Sequence, residues 1–301
     1  MTPLTVLALV SLALSGQVGA VADVRAVTVV ATPATVSLCR SALSGHKLLA
    51  LDCEGVNLGR RGEISLIQLA TPEECFLLDV QDAPRTADVV ALAKEILEDE
   101  SVCKIIHDCK ADSDALSHLL GIELKNVHDT QAWHVASVDP QTRRPSLNGL
   151  LELHSIPTNV VRDSGVYKTN ERFWATRPLT QGMIEWASGD VTSLFLLREG
   201  QTTAAPDASA LQAAEASEAN LGKMREGITA EFAVEKDQMG RFIGRGGCNI
   251  RAVEERFQVV VHQYGDKSLQ VFLLYAKDAE ALRSAVTHLR GMGFNLKEEA
   301  Q

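Results

Sequence analysis

Two acids separated by one residue, Asp52 and Glu54, close the apolar run Leu48-Leu-Ala-Leu-Asp-Cys-Glu-Gly55. A short apolar run bounded by turn residues reads as a buried strand. Side chains alternate across a strand, so residues two apart leave the same face, and both carboxylates are predicted to emerge together at the strand's end. Two anions held that close repel, and one of them neutralises unless a cation lies between them. Hard carboxylate oxygens suit magnesium or manganese. A solvated turn pair is the plainer reading, and the wholly apolar lead-in argues against it.

Two further acids occupy positions that could join the first pair. Asp112 opens a predicted helix that follows the apolar strand 104–107, and Asp190 lies inside a predicted helix on the same face as Trp186, four residues earlier. Asp112 read alone is a helix N-cap or first-turn acid. A buried helical Asp is costly unless it is paired or bound to a metal. A carboxylate pair from a strand plus one acid from each of two helices can hold two cations, the arrangement that activates a water and stabilises the leaving oxygen in phosphodiester hydrolysis.

The elements that must position these acids follow from pattern. Strands are predicted over 24–32, 48–54, 64–70 and 75–80, with a turn at 57–62, and the quick succession of the last three implies an antiparallel meander. Helical spacing follows at 87–98, a strand at 104–107, a helix at 111–120 and a short strand at 126–129. Strands alternating with helices call for parallel crossovers, so the first part reads as a mixed α/β sheet. From 145 the chain turns more helical, and Thr180 is a good N-cap for a helix over 181–198. Residues 201–220, rich in Ala, Ser, Thr and Glu with Pro206, read as a linker with partial helical character.

A second module has the order β-α-α-β-β-α, with strands at 228–234, 259–263 and 269–275 and helices at 249–257 and 278–290. Between its first elements lies Phe242-Ile-Gly-Arg-Gly-Gly247. These glycines do not fit a Walker loop, which needs Lys and then Ser or Thr after the last Gly. The element order does not fit a dinucleotide loop. A tight turn without function is the plainer alternative.

The 301 residues suffice for one large domain and one small one. Hydrophobic residues make up 46% and charged residues 23%, as in soluble globular proteins. The net charge of −10 is uneven: residues 1–220 carry 17 basic and 28 acidic side chains, and residues 221–301 carry 12 and 11. An acidic total argues against nonspecific duplex-DNA binding through bulk charge. Six cysteines without a C-x-x-C spacing argue against a structural zinc site and for a reducing, intracellular compartment, cytoplasmic or nuclear. Residues 1–23 form a leader whose apolar stretch 4–14 has the length of a signal-peptide core. No Lys or Arg precedes Arg25. A cleaved targeting segment, and with it an organellar destination, is the alternative to a loosely packed leader. The stretch is too short to span a bilayer.

The acid-bearing segments resemble motifs of the ribonuclease D-like branch of the DEDD family of 3′-5′ exonucleases, closest to its egalitarian-like members. Ala-Leu-Asp52-Cys-Glu54-Gly resembles the first motif. Ile-Ile-His107-Asp-Cys-Lys-Ala-Asp112 resembles the second, its acid being Asp112 rather than Asp108 or Asp114. Ile184-Glu-Trp186-Ala-Ser-Gly-Asp190-Val resembles the third. Val127-His-Asp-Thr-Gln131 and Phe173-Trp-Ala-Thr-Arg-Pro-Leu179 resemble supporting segments. The resemblance covers roughly 24–198 and implies a ribonuclease H-like fold over 24–200, two Mg2+ or Mn2+ ions on Asp52, Glu54, Asp112 and Asp190, and a single-stranded RNA or DNA substrate, RNA being favoured. Ile243-Gly-Arg-Gly-Gly247-Cys-Asn-Ile250 resembles the G-x-x-G signature of a type I KH domain over 221–293, followed by a tail at 294–301. That resemblance implies an RNA groove for about four unpaired bases, with Gly244, Arg245, Gly246 and Gly247 at the phosphates and Arg241 and Arg251 supplying charge.

One position departs from the family pattern. The branch carries a Tyr four residues before its last acid, and this chain has Trp186. The family's hydroxyl handles the attacking water, whereas an indole nitrogen only donates. Glu185 is adjacent but points about 100° away round a helix. Packing is therefore the plain role for Trp186. Two expectations stand side by side: a metal-dependent exonuclease, and a nuclease-fold RNA-binding adaptor with little or no turnover. Arg177 is expected either to cap a helix or to meet a substrate phosphate. His107, His128 and His134 are expected to be ordinary core or surface histidines.

Overall fold

In the computed structural model the described residues are 26–82, 86–138, 144–204, 207–264 and 270–294. The 1–23 leader, and the 294–301 tail beyond Phe294, lie outside them. Among the described residues, β1 (Ala26–Val30), β2 (Leu48–Val56), β3 (Glu63–Ala70), β4 (Glu74–Asp79), β5 (Cys103–Ile106) and β6 (Val127–Asp129) form one sheet in the order β1-β4-β3-β2-β5-β6. The β2-β3-β4 meander is antiparallel. β1 joins β4, β5 joins β2 and β6 joins β5 in parallel, as the intervening helices require.

Strand parity sorts the sheet's two faces. Leu49, Leu51, Cys53, Ile67, Leu69 and Phe76 pack toward a layer that includes residues of α1 (Pro33–Leu43), α2 (Ala87–Leu97) and α3 (Lys110–Leu120). Ala50, Leu66, Ala70 and Leu77 pack toward α5 (Leu147–Leu153) and α6 (Gln181–Ala204). Asp52 and Glu54 share the parity of Ala50, so they emerge on the α6 side. The first helix starts on a reciprocal cap, with Thr35 N donating to Thr32 Oγ1 at 3.3 Å and Thr32 N donating to Thr35 Oγ1 at 3.0 Å.

The stretch expected to be a linker is instead packed helix. α6 continues to Ala204 and α7 runs over Asp207–Arg225, with Ala213, Ser217, Asn220, Leu221 and Met224 buried. Alanine-rich composition fits exposed linker and helix alike. What separates them is a stripe of small and apolar residues that finds a surface to cover. Here that surface belongs to α3, α4 (Thr130–Ser137) and β6: Ser113 Oγ donates to Leu221 O at 2.9 Å and Asn220 Nδ2 to Asp129 Oδ2 at 2.9 Å.

The second module comprises β7 (Ile228–Val234), α8 (Met239–Ile243), α9 (Cys248–Phe257), β8 (Val259–Tyr264), β9 (Gln270–Ala276) and α10 (Ala279–Gly291), with antiparallel order β7-β9-β8. One face of its sheet, including Phe232, Val234, Phe272 and Leu274, packs with Phe242, Val253, Ala285 and Leu289 of its helices. Val260, Leu273 and Tyr275, from the other face, cluster with Met224 of α7 and Ala111 of α3. The two modules therefore share an apolar seam in place of a tether.

Candidate active site

Asp52 and Glu54 project from β2 and Asp190 from α6, and one oxygen of each lies within 4.8 Å of the others. The strand does not stop at the acids, as the sequence suggested. It continues to Val56, and its register against β3 shifts between Glu54 and Gly55. A side chain at Gly55 would place its Cβ 1.9 Å from Glu63 O, so the irregularity beside Glu54 requires glycine. Asp52 and Glu54 are half-buried, while Asp190 is buried.

Three donors hold Asp190. Asn159 Nδ2 reaches Oδ1 at 2.9 Å, Arg162 Nη1 reaches Oδ2 at 3.0 Å, and Trp186 Nε1 reaches Oδ2 at 2.9 Å. Trp186 is 3% exposed. Its ring packs against Trp174, Phe173 and Tyr167, with centroids 5.5, 5.7 and 6.0 Å away. Trp174 Nε1 in turn donates to the Tyr167 hydroxyl at 2.8 Å. Trp186 thus has the packing role expected of it and also a polar one. Sequence reading missed Asn159 and Arg162, which lie in the aperiodic stretch between α5 and α6 where no local pattern marks them.

The electrostatics are those of an acid cluster short of positive charge. Burial, with the charges of Asp112 and Asp190 added, holds the Asp52 carboxyl well above the usual carboxylate range. Burial, Asp52 and Asp190 do the same to Glu54. Burial also raises Asp190, although Arg162, Asn159 and Trp186 pull it back. Burial opposes the Arg162 charge, but Asp190, Asp52 and Glu54 overcome this and raise its pKa. Such a cluster is chemically suited to a divalent cation, which would favour the ionised carboxylates together.

Asp112 stands outside the group of three oxygens. It is 5% exposed, burial pushes its carboxyl up to about 7, and Oδ1 has no hydrogen-bond partner. Its charge nonetheless acts on Asp52, Cys53 and Glu54, so it borders the cluster from the α3 side. The structure thus brings three of the four expected acids together and leaves the fourth adjacent to them, hydrogen-bonded to Cys53 and its own backbone but with Oδ1 unpaired.

Arg177 is engaged within the protein, where it caps the 3-10 turn at Phe173–Ala175. Its guanidinium grips Asp79 with Nε–Oδ2 at 2.6 Å and Nη2–Oδ1 at 2.8 Å, and donates to Ser65 O and Trp174 O. Its donors are committed to bracing β4 and the 173–177 turn. His107 bridges Thr130 Oγ1 at 2.9 Å and Pro145 O at 3.1 Å, and burial lowers its pKa to about 4. His128 stacks on Trp133 and meets Gln201 Oε1 at 3.0 Å. Both are structural, as expected.

In the second module the Gly-rich loop follows α8. Gly244, Gly246 and Gly247 have φ of 73°, 58° and 81°, values that favour glycine. Two of the three arginines there are engaged within the protein: Arg251 Nη1 donates to Gly246 O at 2.7 Å, and Arg241 donates to Met292 O and lies over the Phe294 ring. Arg245 is exposed at the tip of the loop.

Comparison with known proteins agrees with this geometry. Residues 27–200 match a family described as 3′-5′ exonuclease, and residues 229–290 match the KH domain. The chain is 31% identical over 164 residues to the piRNA biogenesis protein EXD1 of Mus musculus, which covers 51% of this chain and 29% of that one. The chain spans between 29% and 39% of the length of the EXD1 relatives from mouse, Xenopus laevis and human. Among solved structures, Trypanosoma brucei RNase D shares the fold with a TM-score of 0.57 at 23% identity, covering 68% of this chain and 74% of that one. Its complex with RNA U12 gives 0.56 at 26% identity, covering 66% and 70%. The six-stranded mixed sheet with its helices is thus an RNase D-like nuclease fold, carried together with a KH domain.

Proposed function

The chain belongs to the 3′-5′ exonuclease family, and on that premise we propose that it is a divalent-metal-dependent exonuclease acting on single-stranded RNA, with the KH module holding the substrate. The observation that carries the reading is the convergence of Asp52, Glu54 and Asp190 within 4.8 Å. Asp52, Glu54 and Asp190 would hold one Mg2+ or Mn2+, and Asp52 with Asp112, through its unpaired Oδ1, would serve a second. When bound, such ions lower the pKa of a water and offset the charge that builds on the leaving oxygen. Arg162 balances part of the cluster's negative charge. Asn159 and Trp186 fix the Asp190 carboxylate from both its oxygens. In the KH loop, Arg245 and the glycine backbone of 244–247 would meet phosphates, while Arg241 and Arg251 brace the loop's surroundings.

The test is shortening of 5′-labelled single-stranded RNA with Mg2+ or Mn2+. Wild type should trim from the 3′ end, and Asp52→Asn or Asp112→Asn should abolish trimming. No shortening at high enzyme with either ion would sink the proposal. Replacing Arg245 and Gly246 together by Asp should weaken RNA binding without touching the acid cluster, and unchanged binding would remove the KH role.

A second reading, an RNA-binding adaptor with little turnover, is favoured by one observation. Trp186 gives its only polar hydrogen to Asp190 and has no acceptor for a water's proton. On this reading Trp186→Tyr raises hydrolysis at least about 100-fold, the usual worth of a positioned acid–base group, and leaves RNA binding unchanged. Wild-type trimming that Trp186→Tyr does not exceed would exclude it.

A further inference from the structure

We infer that Gln68 is a positioning residue for Asp52. This rests on the reading of Asp52 as a metal ligand. The β2-β3 register pairs Asp52 with Gln68, and directly opposed residues of an antiparallel pair project from the same face. The neighbouring pairs on that face are Ala50 with Ala70 and Glu54 with Leu66. Ala50, Ala70 and Leu66 pack in the apolar layer that holds Ala187 and Val191 of α6. Gln68 is thus an amide set into an apolar layer, one strand away from Asp52.

Gln68 is 0% exposed, and neither Nε2 nor Oε1 has a hydrogen-bond partner. A buried amide left unpaired on both sides is unfavourable, and an apolar side chain of the same size would remove the penalty. The two metal-ligand candidates that face each other also differ in support. Asp190 receives three side-chain donors. Among the described residues no side-chain donor is seen at Asp52, which receives the backbone N–H of Cys53. The amide that the register sets beside Asp52 is the counterpart of those donors. Its Nε2 can turn to a carboxylate oxygen of Asp52 and fix the other oxygen toward a cation. Being uncharged, it orients the carboxylate without competing for the cation's place, as a Lys or Arg there would.

The experiment compares the full wild-type chain with Gln68→Leu, by thermal melting without metal and by calorimetric titration with Mn2+. Loss of an orienting partner typically weakens metal binding about 10- to 100-fold. The expected result is a variant that melts at the same or a higher temperature and binds Mn2+ at least about 10-fold more weakly. A purely structural role would move the melting temperature and leave Mn2+ affinity alone, and that result overturns the inference. Gln68→Met, unbranched and similar in length, is measured alongside, and decides by the same criteria if the Leu variant does not fold. Asp52→Asn separates the two levels of the argument. If it abolishes Mn2+ binding while Gln68→Leu does not weaken it, only the role of Gln68 falls. If wild type binds no Mn2+, the reading of the acid cluster falls and takes this inference with it.

Discussion

The indole of Trp186 donates to Asp190 Oδ2 at 2.9 Å across one turn of α6. The i,i+4 spacing makes the contact local, and the aromatic cage of Phe173, Trp174 and Tyr167 holds the ring in place for it. Trp186→Phe keeps most of the packing and deletes the donor. A hydrogen bond to a charged group contributes about 1.5–3 kcal/mol, so chemical denaturation should show a loss in that range. Trp186→Ala should cost about 3–5 kcal/mol, because it also leaves a cavity. Equal stability of Trp186→Phe and wild type would mean that the bond contributes nothing.

Asp112 gives a pH dependence with a definite sign. Its carboxyl titrates at about 7 in the folded protein, against 3.8 as the ordinary value. Between those values the folded state holds a proton that the unfolded state has released, so this group's contribution to stability falls as pH rises through about 4 to 7 and is level above. Asp112→Asn removes the penalty. Without metal, the variant should match wild type near pH 4 and gain on it progressively, to about 4 kcal/mol above pH 7. Melting curves across that window check it. A difference independent of pH would show that Asp112 does not titrate there.

The seam between the modules turns on Arg60 and Asp114. Arg60 N and Nε reach the two oxygens of Asp114 at 2.7 and 2.9 Å, and Tyr275 of the KH sheet donates its hydroxyl to the same carboxylate at 3.2 Å. The guanidinium also caps α7, donating to the carbonyls of Met224, Arg225 and Gly227. Asp114 is fully buried, so Arg60→Met removes its guanidinium partner and leaves the carboxylate to neutral donors, and the expected cost is about 3–5 kcal/mol by urea denaturation. Converting Asp114→Asn in that background should recover part of the loss. Arg60→Met within about 1 kcal/mol of wild type would show that the seam is held by its apolar contacts alone.

Much of this site is written locally. A period of two fixes which face of β2 carries Asp52 and Glu54, and the parity shared with Ala50 holds in the folded sheet. The glycines of 244–247 demand positive φ wherever the module is placed, and the β-α-α-β-β-α order needs only neighbouring elements to form. Asp112 shows the limit of such reading. Its motif marks it as one of four equivalent acids, yet the packing of α3 leaves it beside the other three, because a rigid helix transmits its seat on the sheet to every side chain it bears.

By itself, then, the sequence determined the strand that carries the acids, the helix that returns Asp190 to them and the Gly-rich loop of the second module, since each depends on periodicity or backbone conformation over a few residues. Tertiary structure alone decided which partners those groups have. Arg162 and Asn159 come from an aperiodic loop to hold Asp190, Arg177 is committed to Asp79, and α7 is a wall of the nuclease rather than a tether. These contacts join residues 28 to 108 positions apart, and their formation depends on chain closure and burial across the whole fold, for which no local pattern is required.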